Sequence, residues 1–430
     1  MSSSPVSSPP PPPKKYININ GVMKLNPEYK QWKASTTLSA EALPIVSTVH
    51  DCQEMQSVAP SSQINSETQE TLDSIPQRLD GILSPDTALT QLTNLLSKYE
   101  VPLGLLRKLL ILSEFDVLEF LIDDSGSMGL LSDTQDAYGR THTRWQEAAS
   151  RLKEMMEILS FLPFQQVKIW FLNRPQTLHF QRQHRDPTTL FQDMVAQIDQ
   201  VFTTAPPYGS TPALERLQQS FRTYPPQQKV ARYFFGDGVP NGGKMAQKQI
   251  LTLLQTRPHP EQHPVTFLSC TSNDEEVLWM KEAEEAAPYC AECDDYEDER
   301  REVLADQGAA FPYTRGFWLI CALVSACFPD DLDALDESVP FTKTTLDRLL
   351  GMDHTGESYK YYFECFVKAQ ANKKLEKKGL FGLRNKNKVD AFKKNQNWKP
   401  YYDEFVIAPV AHQIPVVREF REKLKKLASK

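Results

Sequence analysis

Glycine and cysteine are scarce in this chain, and long apolar runs are missing altogether. Its 430 residues include 17 glycines, below the usual share of about 7%, and 31 prolines, above the usual share of about 5%. Only 40% of residues are hydrophobic, so a polar, proline-rich segment must dilute an otherwise normal core. The seven cysteines are an odd number spread over the whole length. They are not expected to form a disulfide framework, and a reducing compartment suits them. The longest apolar run, GFWLICALVSACF at 316–328, has 13 residues, against roughly 20 needed to cross a bilayer. It is expected to be a buried core helix. The opening MSSSPVSSPPPPPKK has no apolar stretch of the kind a secretory leader carries. A soluble, cytoplasmic, intracellular protein is expected. A formal charge of −7 argues against general coating of nucleic acid. No GxSxG is present and no His stands visibly paired with a nucleophilic Ser or Cys, so nothing supports a hydrolase and no enzyme is expected. There is no internal repeat.

The chain divides by composition. Residues 1–75 hold the polyproline run 9–13 and a stretch rich in Ser, Thr and Gln. Such a segment buries too little apolar area to offset the entropy of ordering, and a disordered tail is expected. Residues 76–113 form a short helical lead-in, with Leu92, Leu95 and Leu96 on one face and Leu106, Leu109 and Leu110 on the next. Between 114 and 294, strand-like runs (FDVLEFLI, VKIWFL, VARYFF, VTFLSC) alternate with amphipathic helical stretches. This pattern predicts an α/β domain with a doubly wound, mostly parallel sheet flanked by helices. Edge strands are expected at 177–181 and 289–293. A helical extension follows at 295–366 and a basic segment at 367–430. The block 274–302 carries net −10 and the run 368–399 carries net +9, so the two are expected to face each other.

The first strand ends LIDDSGSM, which puts Asp123, Ser125 and Ser127 where open α/β sheets bind their ligands. Hydroxyl and carboxylate oxygens are hard donors that select Mg²⁺, Mn²⁺ or Ca²⁺ over zinc. Two more pieces follow in order: Thr211 in GSTPALE, and Asp237 in FFGDGVP after a later strand. Together they resemble the metal-ion-dependent adhesion site (MIDAS) of von Willebrand factor A (vWA) domains. The resemblance covers about 114–294. It implies a vWA/Rossmann-like fold in which the two serines and the threonine ligate the ion directly. The aspartates would hold it directly or through water, leaving one position for the carboxylate of a protein partner. Asp124 has no role in that motif and is read as a solvated loop acid.

Three competing signals are weaker. GVPNGGK at 238–244 has the G-x-x-x-x-G-K spacing of a phosphate-binding loop, the basis for an alternative nucleotide-binding ATPase. Position 245 is Met, however, where that loop needs a magnesium-binding hydroxyl, and Pro240 removes an amide donor. His259, His263, Cys290 and Cys293 imitate a zinc set, but His259 and His263 stand among prolines. The basic run, interleaved with Phe381, Phe392 and Trp398, could bind nucleic acid or an anionic membrane surface. A counterweight to the acidic block is the simpler expectation. The favoured reading is a module that uses Mg²⁺ (or Mn²⁺/Ca²⁺) to capture an acidic side chain of a protein partner.

Overall fold

Val117–Ile122 (β1) is buried along its whole length, as a nearly continuous apolar run predicts. Around it stand β2 (Gln166–Phe171), β3 (Thr177–Gln181), β4 (Val230–Gly236), β5 (Val265–Ser269) and β6 (Cys290–Cys293). The sheet order is β6-β5-β4-β1-β2-β3. All neighbours run parallel except the edge strand β3, which is antiparallel to β2. The computed structural model describes residues 16–19, 22–25, 63–64, 66, 70–71, 85–135, 141–182, 185–328, 335 and 340–376.

Eleven helices are labelled among those residues: α1 (Pro85–Tyr99), α2 (Leu105–Leu109), α3 (Arg144–Ser160), α4 (Pro187–Thr204), α5 (Ala213–Thr223), α6 (Gly243–Thr256), α7 (Asp274–Ala286), α8 (Tyr296–Gln307), α9 (Arg315–Val324), α10 (Lys343–Leu350) and α11 (Gly356–Glu376). Local chemistry sets their starts. Thr143 and Gln146 form a capping box at α3. Asp186 caps α4, ahead of Pro187 in its first turn. Asn273, Asp295, Thr314 and Thr342 cap α7, α8, α9 and α10. α5 begins two residues after Thr211, and Ala213 N–H turns back to Thr211 O at 2.9 Å. Thr211 is thereby left in the loop.

Alternation along the strands feeds two cores. Leu118, Phe120 and Ile122 of β1 point to the face covered by α3 and α4, and the same cluster takes in α1, α2, α9 and α11. Leu121, Phe234 and Phe267 point to the other face, packed by α5, α6 and α7. The lead-in and the extension therefore share the apolar core of the sheet's first face. The run 316–328 lies in that core: Gly316–Val324 are all buried in α9, and Tyr233 O–H donates to Leu323 O at 2.7 Å. No helix among the described residues is long and apolar enough to cross a membrane.

Two pieces of pairing lie inside the segment expected to be a tail. Tyr16–Ile19 and Val22–Leu25 form an antiparallel hairpin. Gln63–Ile64 pairs antiparallel with Met352–Asp353, where no further strand was expected. Most of the basic run lies outside the described residues. Within the described part of it, Gln370 Nε2 donates to Asp306 O of α8 at 2.8 Å, past the end of the acidic block.

One buried polar network interrupts the second core. Glu119 accepts from Tyr224 O–H at 2.8 Å and from the Ser220 hydroxyl, and Ser220 accepts from Arg232 Nε at 2.7 Å. Arg232 Nη1 lies 3.3 Å from His263 Nδ1, while His263 Nε2 lies 3.1 Å from Pro226 O. A carbonyl only accepts, so Nε2 carries the proton and Nδ1 accepts from the guanidinium. Burial pushes the His263 pKa below its ordinary value, and Arg232, Arg257 and His259 add to the shift against the Pro226 carbonyl. The unfolded chain thus binds this proton more readily than the folded one. The stability contributed is full above the unfolded value of about 6.5 and is lost as pH falls through the lower folded value. In urea unfolding between pH 7.5 and 5, the wild type should lose stability relative to His263→Gln as the pH falls below about 6.5, a difference in which the contributions of the other titrating groups cancel. An equal pH slope in the two proteins would contradict the assignment.

Candidate functional site

β1 lies between β4 and β2, and the chain leaves its carboxyl end toward β2 while β4 leads away to β5. This is the point where the strand order reverses, the usual crevice of an open α/β sheet. Asp123 follows β1, and its N–H donates to Phe235 O of β4 at 2.9 Å. Asp237 follows β4. The parallel register, with Ile122 opposite Phe235, therefore brings both aspartates out at the same end of neighbouring strands, Asp123 one residue past the last pair and Asp237 two, and both are fully buried.

The loop after β1 turns sharply. Ser125 N–H donates to Asp123 Oδ1 at 2.8 Å, and residues Gly126–Gly129 form a single 3₁₀ turn. Ser125 Oγ and Ser127 Oγ are 3.0 Å apart, and Ser127 donates to Asp237 Oδ1 at 2.8 Å. Because that bond uses the Ser127 proton, Ser125 is the donor of the pair. Asp123, Ser125, Ser127 and Asp237 thus form one hydrogen-bonded chain spanning two loops. Thr211 is not a link in it. It sits in the adjoining loop, tied to the first loop by Gly126 N–H to Gly209 O at 3.1 Å. Thr211 N–H also donates to Asn241 Oδ1 at 3.1 Å, and Asn241 N–H donates back to Thr211 O at 2.8 Å. Gly209 adopts φ +89°, and a Cβ there would stand 2.7 Å from Asn173 Oδ1. Only glycine suits that turn.

The carboxylates are neutralised differently. Asp237 Oδ2 accepts from Arg144 Nη1 at 2.9 Å, and the same nitrogen reaches Glu276 at 3.4 Å. Asp123 has no such partner, and its buried Oδ2 receives no hydrogen bond at all. Burial raises the Asp123 pKa to about 7, with the Asp237 charge adding to the rise and the Ser125 N–H opposing it. A buried carboxylate oxygen without a donor is costly unless something compensates it. The donors at hand are two carboxylates and three hydroxyls, all oxygen, and this set fits a hard divalent cation. Among the described residues no group of three or more His, Cys, Asp or Glu is arranged to hold a metal. The set here has two carboxylates, its other oxygens being hydroxyls.

Asp124 is a correction to the sequence reading. It is fully buried, not solvated. Oδ1 accepts from Asn173 N–H at 2.7 Å, and Oδ2 from Arg174 Nε at 3.0 Å. Arg174 continues to Ala205 O and Pro206 O, so Asp124 clamps the β2–β3 connection to the loop that carries Thr211. Arg144, Arg174 and Asn241 were all missed in the sequence. One signal for Arg144 was available. A cation in the first turn of a helix opposes the helix dipole, so an arginine at the start of α3 calls for a local anion.

The phosphate-loop spacing is occupied otherwise. Asn241 holds Thr211, and its Nδ2 donates to Ser210 Oγ at 2.8 Å, while Gly238 O accepts from Trp279 Nε1 at 3.2 Å. Of the zinc-like set, Cys290 and Cys293 are buried on β6, and both His263 nitrogens are engaged.

No protein-family model and no curated protein matches the chain. Solved structures resemble parts of it at low identity. A mutant of the PilB minor pilin from Streptococcus sanguinis aligns with 42% of this chain and 57% of its own, at 11% identity and a TM-score of 0.30. An uncharacterized membrane spanning protein from Vibrio fischeri aligns with 36% of this chain and 69% of its own, at 12% identity and a TM-score of 0.18. The chain spans little more than half of the pilin's length, and neither likeness carries an argument about fold or function.

The two adjacent aspartates should respond oppositely to loss of charge. Asp124→Asn breaks a buried ion pair with Arg174 and should cost about 3–5 kcal/mol. Asp123→Asn removes an uncompensated buried charge and should leave stability unchanged or raised in EDTA at pH 8. Urea unfolding of both variants checks this, and a large loss in Asp123→Asn would contradict it.

Proposed function

We propose that the chain is a protein-interaction module of the von Willebrand factor A type, which binds a divalent cation and through it a carboxylate of a protein partner. The reading rests on one observation. Three loops at the sheet's reversal point bring Asp123, Ser125, Ser127, Thr211 and Asp237 to one end of the sheet, and Asp123 Oδ2 is buried there without a donor. The hydroxyls of Ser125, Ser127 and Thr211, with the carboxylates of Asp123 and Asp237, would hold the ion. An all-oxygen set favours Mg²⁺, Mn²⁺ or Ca²⁺. When bound, the ion supplies an electrophilic position at which a partner's carboxylate can complete the coordination.

The chain's own charges support an ion that keeps part of its positive character. Arg144 pairs closely with buried Asp237 and only loosely, at 3.4 Å, with half-exposed Glu276, so the buried groups, two carboxylates and one guanidinium, leave a single net negative charge facing a divalent ion. The surplus attracts a further anion, by about 4 kcal/mol per unit charge at 4 Å and an effective dielectric of 20, before desolvation. The loops need little rearrangement, because Asp124, Asn173 and Asn241 fix them independently of the ion.

Calorimetric titration with Mg²⁺ and Mn²⁺ should show one site. Asp123→Ala and Asp237→Ala should abolish it, and Thr211→Ala should weaken it by removing one neutral ligand. The thermal midpoint of the wild-type chain should rise with millimolar cation and fall back with EDTA. Absence of any heat or shift with Mg²⁺, Mn²⁺ and Ca²⁺ would refute the proposal.

A further inference from the structure

Six large apolar side chains are exposed among the described residues: Leu130, Leu131, Tyr208, Val239, Met245 and Leu278. Scattered singly they would need no explanation. They are not scattered. Leu130 and Leu131 follow the 3₁₀ turn that carries Ser127, and Leu130 N–H donates to Ser127 O at 2.9 Å. Tyr208 N–H donates to Asp124 O at 2.7 Å, and Tyr208 stands next to Gly209 of the Thr211 loop. Val239 follows Asp237 and Gly238, and a Cβ on Gly238 would lie 3.9 Å from Ser127 Oγ. Met245 is in the first turn of α6, just beyond that loop, and Leu278 adjoins Trp279, whose indole N–H holds Gly238 O. All six lie on the loops or helix turns at the carboxyl end of the sheet, the most exposed being Met245 at 68% and Leu131 at 62%.

We infer that these side chains form an apolar rim around the cation site, and that the partner is a protein segment in which one Asp or Glu is flanked by large apolar side chains. The inference rests on the cation reading above and specifies its ligand. The charge complementarity is local: a cation held by a site with one net negative charge attracts a carboxylate. An apolar collar that seals that contact from water strengthens it, as rings of modest contacts do around interface hot spots. A polar or phosphate-rich ligand would gain nothing from such a rim. A second copy of this chain is the competing occupant, and self-association distinguishes it.

The test uses the full chain and two blocked peptides, one with a single Glu between Leu and Phe residues and one with the same Glu between serines. In millimolar Mg²⁺ the apolar peptide should bind at least about tenfold more tightly, the equivalent of burying two methylenes. EDTA should abolish its binding. The double variant Leu130→Ser/Val239→Ser should lose the preference while binding Mg²⁺ as the wild type does. If Mg²⁺ binds but the two peptides bind alike, the rim is refuted and the cation reading stands. If Mg²⁺ does not bind, or if the apolar peptide ignores EDTA, the cation reading falls and this inference with it. A dimer at micromolar concentration that the double variant dissolves would also overturn it, assigning the rim to a second copy.

Discussion

The pairing of β1 with β4 is the constraint from which the rest of this site follows. Two neighbouring parallel strands deliver Asp123 and Asp237 to the same end of the sheet, where neither carboxylate reaches water. Like charges so placed cannot both be tolerated without compensation. For Asp237 the fold supplies it from Arg144, at the start of α3. For Asp123 it supplies one backbone N–H and nothing on the second oxygen. This asymmetry, more than the presence of serines in the loop, is what the proposed cation would balance.

The scaffold around that crevice is held by separate interactions. The Asp124–Arg174 pair and the Asn241 bonds fix the loops at the carboxyl end of the sheet. Glu119, Ser220, Tyr224, Arg232 and His263 form a second polar network within the sheet and α5. It belongs to the stability of the second core. The helical lead-in and the extension complete the first core, where α9 is buried on every side against the sheet, α1 and α2. Residues far apart in the chain, from Leu92 to Val367, thus share one apolar cluster with the strands that carry the site.

The strands were legible wherever the chemistry was local. Val117–Ile122 and Val230–Gly236 are buried on both faces and read as apolar runs, and Thr177–Gln181 was expected at an edge and lies there. Amphipathic helical stretches between the strands were legible too, whereas the caps that set their starts, such as Thr143 and Asp186, emerged only in the structure. The charged side chains that complete the site were not legible either. Arg144 and Asp237 are 93 residues apart, and Arg174 and Asp124 are 50 apart. Nothing local to Asp124 distinguishes a solvated loop acid from a buried clamp. Glu119 and Arg232 sit inside runs whose apolar neighbours hid them, and the pairing of Gln63–Ile64 with Met352–Asp353 has no local pattern at all. The three parts of the proposed cation motif could be placed in order because each follows its own strand or precedes its own helix. What the motif left out was the arginine that sets its charge.

The central claim is that the oxygens of the three loops hold one divalent ion. Anomalous diffraction from crystals of the full chain grown with Mn²⁺ tests it most directly. The account predicts a single strong peak in the crevice, contacted by the hydroxyls of Ser125, Ser127 and Thr211 and absent from crystals of Asp123→Ala. A crevice without a peak at saturating Mn²⁺, or a peak unchanged in that variant, would contradict it.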